Sequence, residues 1–188
     1  MSATISQYNE VIGACRDLFL KKTSDYGTAW RVLRNISIVD QIFIKALRIR
    51  TIQEKRQQRI QDNIADEFTG IINYAVIGLM QLELGPADPE ELGMERVASL
   101  YDGHVSTTRT LMENKNHDYG EAWRSMSQES FTDLILMKLM RIRQIIANDG
   151  RTMVSEGIDA NYADILNYAV FALILMNEKQ AASAAASN

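Results

Sequence analysis

A chain of 188 residues with a net charge of −4, 46% hydrophobic residues and 23% charged residues has the composition of an ordinary soluble globular protein. The acidic balance argues against a nucleic-acid binder, since such proteins usually present a basic face. A single cysteine, Cys15, excludes an intrachain disulfide, and residues 1–20 lack a signal-peptide pattern, so we expect a cytoplasmic protein.

The first predicted element is an amphipathic helix, because apolar residues recur at three- and four-residue spacing over residues 5–19. It leads into the phrase KTSDYGTAW at 22–30. In this phrase Gly27 is expected to adopt a positive φ angle and Asp25 to cap a short helix over 29–34.

The same phrase holds candidate ligand-binding residues, Lys22, Asp25 and Tyr26. Trp30 is more simply a core residue and Gly27 a turn, but a turn does not require a lysine three residues before its aspartate. A lysine, an aromatic ring and a tight loop together suit a phosphate-bearing ligand with a ring that stacks. We therefore expect a nucleotide or another phosphate-bearing small molecule as the partner.

The second predicted helix begins at Ser37, a suitable N-cap. Its Lys45 and Arg48 lie three residues apart on one face. They form either an ion-paired surface or a phosphate-binding pair.

The third predicted helix covers 64–84 and carries acids. Asp66 and Asn73 lie on one stripe of it, and Asp62 precedes it. Carboxylates beside an asparagine are a usual way to hold Mg²⁺, which prefers oxygen ligands and shares them with substrate phosphates. Asp62 and Asp66 are therefore candidate metal ligands, and Asn73 is a candidate ligand-binding residue.

The second half of the chain repeats the first. Residues 22–52 and 115–145 align without a gap, and 15 of the 31 positions are identical. Both prolines lie in the segment that joins the two halves. The predicted organisation is a first helical repeat at 1–84, a linker at 85–94, a second helical repeat at 95–179 and a disordered tail at 180–188.

The second repeat carries the equivalent candidates, with a second helix expected to begin at Ser130. The ligand-binding candidates are Lys115, Asp118, Tyr119, Lys138, Arg141 and Asn167, and the metal-binding candidates are Glu156 and Asp164. The acids on the third helix are not kept position by position, because Asp66 aligns with Ala160 and Gly70 aligns with Asp164. Either the two repeats share one metal site, or a site has decayed.

These elements predict an all-α protein in which two tandem three-helix units pack as a pseudo-twofold helical bundle. The longest apolar run, 168–176, is too short to span a bilayer, so no membrane partner is expected. A homo-oligomer is compatible with this outline.

The phrase KNHDYGEAW, the following Lys138 and Arg141, and the segment EGIDANYADILNY resemble the family called nucleotide modification associated domain 1. The resemblance covers both repeats. It implies a functional role for the residues that match the family pattern. In the first repeat these are Lys22, Asp25, Tyr26, Gly27, Lys45, Arg48, Asp62, Asp66, Asn73 and Tyr74. In the second they are Lys115, Asp118, Tyr119, Gly120, Lys138, Arg141, Glu156, Asp164, Asn167 and Tyr168.

The chain departs from that pattern at four positions. The family pattern has an acid where this chain has Gly70 and Ala160, and it has an aspartate before the helix lysine where this chain has Ile44 and Met137. The helical outline is also similar to the MazG-like all-α nucleoside triphosphate pyrophosphatases, which bind Mg²⁺ with acidic pairs on two helices. This chain lacks their E-x-x-E signature on the second helix.

Three functions follow as alternatives. The first is a Mg²⁺-dependent (deoxy)nucleoside triphosphate pyrophosphohydrolase, in which carboxylates hold the metal and lysine and arginine hold phosphates. The second is a nucleotide-binding module without catalysis. The third is a helical scaffold or interaction protein in which the repeated motifs are structural.

Overall fold

The computed structural model describes residues 3–55, 63–85 and 91–186, and these form long α-helices with two short 3₁₀ helices and no strand. This confirms the all-α prediction. The α-helices are α1 (Ala3–Tyr26), α2 (Asn35–Lys55), α3 (Ile64–Leu84), α4 (Met94–Tyr119), α5 (Gln128–Ala147) and α6 (Ile158–Ala186). The 3₁₀ helices, Ala29–Val32 and Ala122–Ser125, follow α1 and α4.

The repeated phrase ends a long helix and reverses the chain. Gly27 and Gly120 both adopt a φ angle of 61°, a left-handed conformation that glycine tolerates without strain. This confirms the role expected for Gly27. The expected caps are wrong, because Asp25 and Asp118 lie in the last turns of α1 and α4 and do not cap the short helices.

Helix starts differ from the sequence prediction in two places. Ser127 caps α5, since its Oγ accepts a hydrogen bond from the Ser130 N–H at 3.3 Å, so Ser130 lies inside the helix. In α2 the helix already begins at Asn35, which places Ser37 in its first turn. Both errors have one cause: several polar residues precede each helix, and only the backbone path decides which one lies at the cap.

The core lies between α3 and α6, which pack against each other more extensively than any other pair. They are antiparallel: Gly78, near the end of α3, lies under the ring of Tyr162, near the start of α6. A side chain at Gly78 would collide with that ring, because an added Cβ would lie 2.6 Å from it. The pair therefore crosses closely, and residues such as Phe68 and Ile71 are fully buried.

The two repeats are related by a pseudo-twofold axis, as predicted. Helices α2 and α5 pack together, and their ends are joined by equivalent ion pairs. Arg143 Nη2 lies 2.6 Å from Asp40 Oδ1, and Arg50 Nη1 lies 3.8 Å from Asp133 Oδ1. The two ion pairs are equivalent, because Asp40 and Arg50 of the first repeat align with Asp133 and Arg143 of the second.

Helix α6 is long and apolar enough to cross a membrane by length and composition, but 72% of its most apolar window is buried inside the fold. Such burial is compatible with the core helix of a soluble protein. The helix continues to Ala186, into the segment where a disordered tail was expected. Alanine has the highest helix propensity, which accounts for this extension.

Candidate functional site

The candidate site is a cleft of about 620 Å³ in the first repeat. It lies between the end of α1, the first 3₁₀ helix, α2 and α3. Its polar and aromatic lining consists of Lys22, Tyr26, Trp30, Lys45, Asp66, Glu67, Asn73 and Tyr74. Five sequence-predicted residues, Lys22, Tyr26, Lys45, Asp66 and Asn73, are thus brought together, whereas Asp25 is exposed and does not line the cleft.

The floor of the cleft is an ion-paired group that the sequence only partly predicted. Glu67 is buried, and its carboxylate accepts hydrogen bonds from Arg48 and, at 3.3 Å, from Lys45 Nζ. The side chain of Lys45 lies across Gly70, where an added Cβ would be 2.8 Å from Lys45 Cε. Glycine at this position therefore leaves room for the lysine to reach Glu67.

Lys22 and Asp66 lie at the mouth of the cleft, and they share no binding partner among the described residues. Lys22 is exposed and forms no ion pair with a residue that the structure describes. Asp66 is also exposed, and its Oδ2 accepts a hydrogen bond from the Asn63 N–H at 3.3 Å, which completes a capping box at the start of α3. Asp62, a predicted metal ligand, lies outside the described residues.

Two aromatic side chains line the same cleft as Lys22. Tyr26 is 72% exposed, which is unusual for a large aromatic ring and leaves its face accessible to a ligand. Trp30 is half-buried and packs against the core, and its indole N–H has no hydrogen-bond partner. The mouth of the cleft therefore combines a positive charge with a ring that can stack.

In the second repeat both equivalent lysines bind one carboxylate, that of Asp164. Its carboxylate accepts hydrogen bonds from Lys115 Nζ at 2.8 Å and from Lys138 Nζ at 2.5 Å, and its side chain is only 8% exposed. Burial alone would raise the pKa of Asp164, but the two lysine hydrogen bonds outweigh burial and hold that pKa below its usual range. An internal anion thus occupies the two lysines that the sequence assigned to a ligand.

Among the described residues, the other second-repeat candidates form no hydrogen bond or ion pair with Asp164. Asp118 and Tyr119 are exposed, and Asp118 Oδ1 lies 3.1 Å from Nδ1 of the neighbouring His117 ring. Arg141 and Glu156 are exposed and line a separate pocket beyond the end of α5.

The position of the buried acid decides which cation stays unpaired. Glu67 aligns with Asn161, and Gly70 aligns with Asp164, so the acid has moved by one helical turn between the repeats. In the first repeat the acid binds the second-helix cations and leaves Lys22. In the second repeat it binds both lysines and leaves Arg141 without an ion pair to a described residue.

Asn73 and Asn167 lie at the crossing of α3 and α6, where both ends of each amide are engaged. Asn73 accepts a hydrogen bond from Tyr101 Oη at 2.9 Å and donates one to the Cys15 carbonyl at 3.1 Å. Asn167 accepts from Tyr8 Oη at 3.0 Å and donates to the Thr108 carbonyl at 3.3 Å. Each tyrosine comes from the opposite repeat, so the asparagines join the two halves.

The geometry does not bring Asp66 and Asp164 together as ligands of one shared metal ion. Because α3 and α6 are antiparallel and Gly78 opposes Tyr162, the two acids are offset by about ten residues, roughly 15 Å along the helix axis. Asp164 is also already bound by two lysines. Over residues 3–55, 63–85 and 91–186, no three His, Cys, Asp or Glu side chains converge as metal ligands.

Sequence reasoning missed three residues that bind the candidate residues: Glu67, Tyr8 and Tyr101. Glu67 follows Asp66 directly and therefore lies off the stripe of α3 that carries Asp66 and Asn73. Its position turns it towards α2, where it binds Lys45 and Arg48. Tyr8 and Tyr101 are 93 positions apart, the same spacing as the repeated phrase. That spacing was a signal that could have found them.

The sequence model of the family described as nucleotide modification associated domain 1 matches residues 22–82 and 115–176. The chain belongs to this family. The two matched regions cover most of both repeats. They include most of the first-repeat cleft and the Asp164 ion pairs of the second repeat. No curated protein and no solved structure shows significant similarity to the chain, so the MazG-like outline stays a prediction.

Proposed function

We propose that the first-repeat cleft of this nucleotide modification associated domain binds a nucleotide. One observation carries the proposal: Lys22 reaches the cleft mouth beside exposed Tyr26 without a described carboxylate partner, whereas its equivalent Lys115 is bound to Asp164. A phosphate group supplies the missing anion for Lys22, and the base stacks on the Tyr26 ring. The volume of about 620 Å³ falls within the range of small-molecule sites.

The duplicated chain supplies matched controls for a test. In calorimetric titrations with a panel of ribo- and deoxyribonucleoside triphosphates, Lys22→Ala should weaken binding about tenfold or more, because a charge-assisted hydrogen bond is lost. Lys115→Ala should leave the affinity unchanged. Tyr26→Ala should weaken binding severalfold through lost stacking, whereas Tyr119→Ala, which removes a 75% exposed ring from the other repeat, should not.

A negative charge added to the cleft also tests whether it binds a nucleotide. Gly70→Asp gives the first repeat the acid that the second repeat has at Asp164. The carboxylate should recruit Lys45 and Lys22, as Asp164 recruits their equivalents, and nucleotide binding should be lost. Equal affinities of the Lys22→Ala and Lys115→Ala chains, or no nucleotide binding at all, contradict the proposal and favour a scaffold role.

Magnesium-dependent hydrolysis is a second candidate, favoured by Asp66. Its exposed carboxylate lines the cleft, and Mg²⁺ needs only one or two protein carboxylates when phosphate oxygens and waters complete its shell. Glu67 does not fit this role, because Arg48 and Lys45 already bind it. Asp66 would hold the ion, and Lys22 would position the phosphates.

One assay distinguishes nucleotide binding alone from magnesium-dependent hydrolysis. Pyrophosphate release should require Mg²⁺ and should be lost in Asp66→Asn, while nucleotide binding survives. Asparagine can still accept the hydrogen bond from the Asn63 N–H, so the start of α3 is preserved. Binding without pyrophosphate release identifies a binding module.

A further inference from the structure

A second pocket, of about 400 Å³, lies in the second repeat and shares no residue with the cleft described above. It is formed by the end of α5, the connection at 148–157 and the first turn of α6. Its polar lining includes Arg141, Gln144, Asn148, Arg151, Glu156 and Asn161. None of these residues contributes to the proposed nucleotide cleft.

Two guanidinium groups line this pocket. Arg141 and Arg151 are exposed and form no ion pair with a described residue. The first-repeat equivalent of Arg141 is Arg48, which Glu67 binds. Because Asn161 replaces that glutamate in the second repeat, the arginine remains but its carboxylate does not.

Asn161, which also lines the pocket, has a buried acceptor atom without a hydrogen-bond partner among the described residues. The residue is only 3% exposed, and its Nδ2 donates to the Gly157 carbonyl at 2.7 Å, whereas its Oδ1 has no hydrogen-bond partner. Exchange of the two amide atoms would place oxygen against the Gly157 oxygen, so the assignment is fixed by that contact. A buried acceptor without a donor is costly, and a ligand that brings a donor removes the cost.

We propose that this pocket is an oxyanion site for a group that carries its own acidic proton, namely hydrogen phosphate or the monoanion of a phosphomonoester. Arg141 and Arg151 bind the anionic oxygens, and Asn161 Oδ1 accepts the P–O–H hydrogen. With Glu156 at the same pocket, the lining carries one net positive charge, which matches a monoanion. Sulfate lacks the proton and leaves Asn161 Oδ1 unsatisfied.

The test uses the full ¹⁵N-labelled chain, titrated with inorganic phosphate or with sulfate in mildly acidic buffer, where inorganic phosphate is mostly the monoanion. The Nε–H signals of both arginines and the Nδ2 signals of Asn161 should shift and saturate with phosphate. Sulfate should bind about fivefold to tenfold more weakly, because it cannot donate a hydrogen bond. A deoxynucleoside monophosphate, run in parallel, distinguishes a phosphomonoester from free phosphate as the better ligand.

Three variants decide the outcome. Arg141→Ala, at an exposed position, should weaken phosphate binding about tenfold or more. Asn161→Glu, which restores the residue of the first repeat, should occupy Arg141 internally and abolish binding. Arg34→Ala, which removes another exposed arginine, should change nothing.

Equal binding of phosphate and sulfate, or shifts that persist unchanged in Arg141→Ala, overturns the proposal. The Lys22→Ala chain distinguishes phosphate binding at this pocket from phosphate binding in the first-repeat cleft. Phosphate shifts at Arg141 that survive Lys22→Ala support this site whether or not the first-repeat cleft binds nucleotide.

Discussion

At the scale of single residues, each repeat buries one carboxylate against two cations, and these two carboxylates are not equivalent. Glu67 contacts Lys45 and Arg48, whose side chains are partly exposed, whereas Asp164 contacts Lys138, which is buried. Loss of one partner from a buried pair leaves an uncompensated charge, which costs more than the pair itself contributes. Asp164 is therefore the residue whose removal should destabilise the fold most directly.

Replacement of Asp164 by alanine should cost about 3 kcal/mol of unfolding free energy at pH 7, because Lys138 is left buried without a counter-charge. Lys115→Ala should cost about 1 kcal/mol or less, since that lysine is 46% exposed and largely screened by solvent. Urea unfolding measures both values. Equal costs for the two variants would show that burial of Lys138 contributes nothing.

The same carboxylate predicts a pH dependence. The pKa of Asp164 is lower in the folded chain than its ordinary value of about 3.9, so its contribution is present above that value. The contribution is lost as pH falls from about 3.9 through the folded pKa, because the unfolded chain then binds the proton first. The stability difference between the wild-type chain and Asp164→Ala should accordingly shrink in acid. A difference that is constant from neutral to acidic pH contradicts the prediction.

At the scale of helices, two equivalent tyrosine–asparagine hydrogen bonds join α1 to α6 and α4 to α3. Tyr8 and Tyr101 are fully buried, and burial raises the pKa of both phenols, so each remains a neutral donor. Their hydroxyl groups satisfy the amide oxygens of Asn167 and Asn73 across the repeat boundary. The helices α1 and α4 are thereby held against the central pair.

Removal of either hydroxyl group should destabilise the bundle. Tyr8→Phe and Tyr101→Phe each leave an amide oxygen without its donor, which should cost about 1 to 2 kcal/mol. Tyr119→Phe, at a ring that is mostly exposed, should lie within about 0.5 kcal/mol of the wild-type chain. Thermal or urea unfolding distinguishes these cases, and a neutral effect of the buried substitutions would show that the asparagines are satisfied in another way.

The helices themselves were well predicted by sequence, because periodicity and repeat identity are local signals. The predicted bounds of α3, 64–84, agree with the structure. What could not be predicted depends on the path of the chain in three dimensions. The sequence shows that Gly70 aligns with Asp164, but only the antiparallel crossing shows that Asp164 meets two lysines and lies far from Asp66.

At the scale of the whole molecule, the two repeats form one structural unit. Phe68, Ile72 and Met80 of α3 are fully buried, and α3 packs more extensively against α6 of the other repeat than against any other helix. An isolated first repeat would lose the contacts that α3 makes with α4 and α6 of the other repeat. The pseudo-twofold arrangement therefore resembles an obligate dimer whose subunits are joined in one chain.

This arrangement predicts how separated repeats behave. A fragment of residues 1–85 should show no cooperative unfolding as a monomer, since it exposes the apolar face of α3 to water. Mixed with a fragment of residues 91–188, it should form a 1:1 complex that unfolds in a single transition, because Tyr8–Asn167 and Tyr101–Asn73 then re-form between the fragments. Tyr101→Phe in the second fragment should weaken that complex by about five- to thirtyfold, the factor that 1 to 2 kcal/mol represents. Sedimentation and calorimetry of the mixture measure both quantities. A first fragment that is folded and monomeric by itself would mean that each repeat has an independent core, and the interlocked bonds would then be a consequence of the bundle and not its requirement.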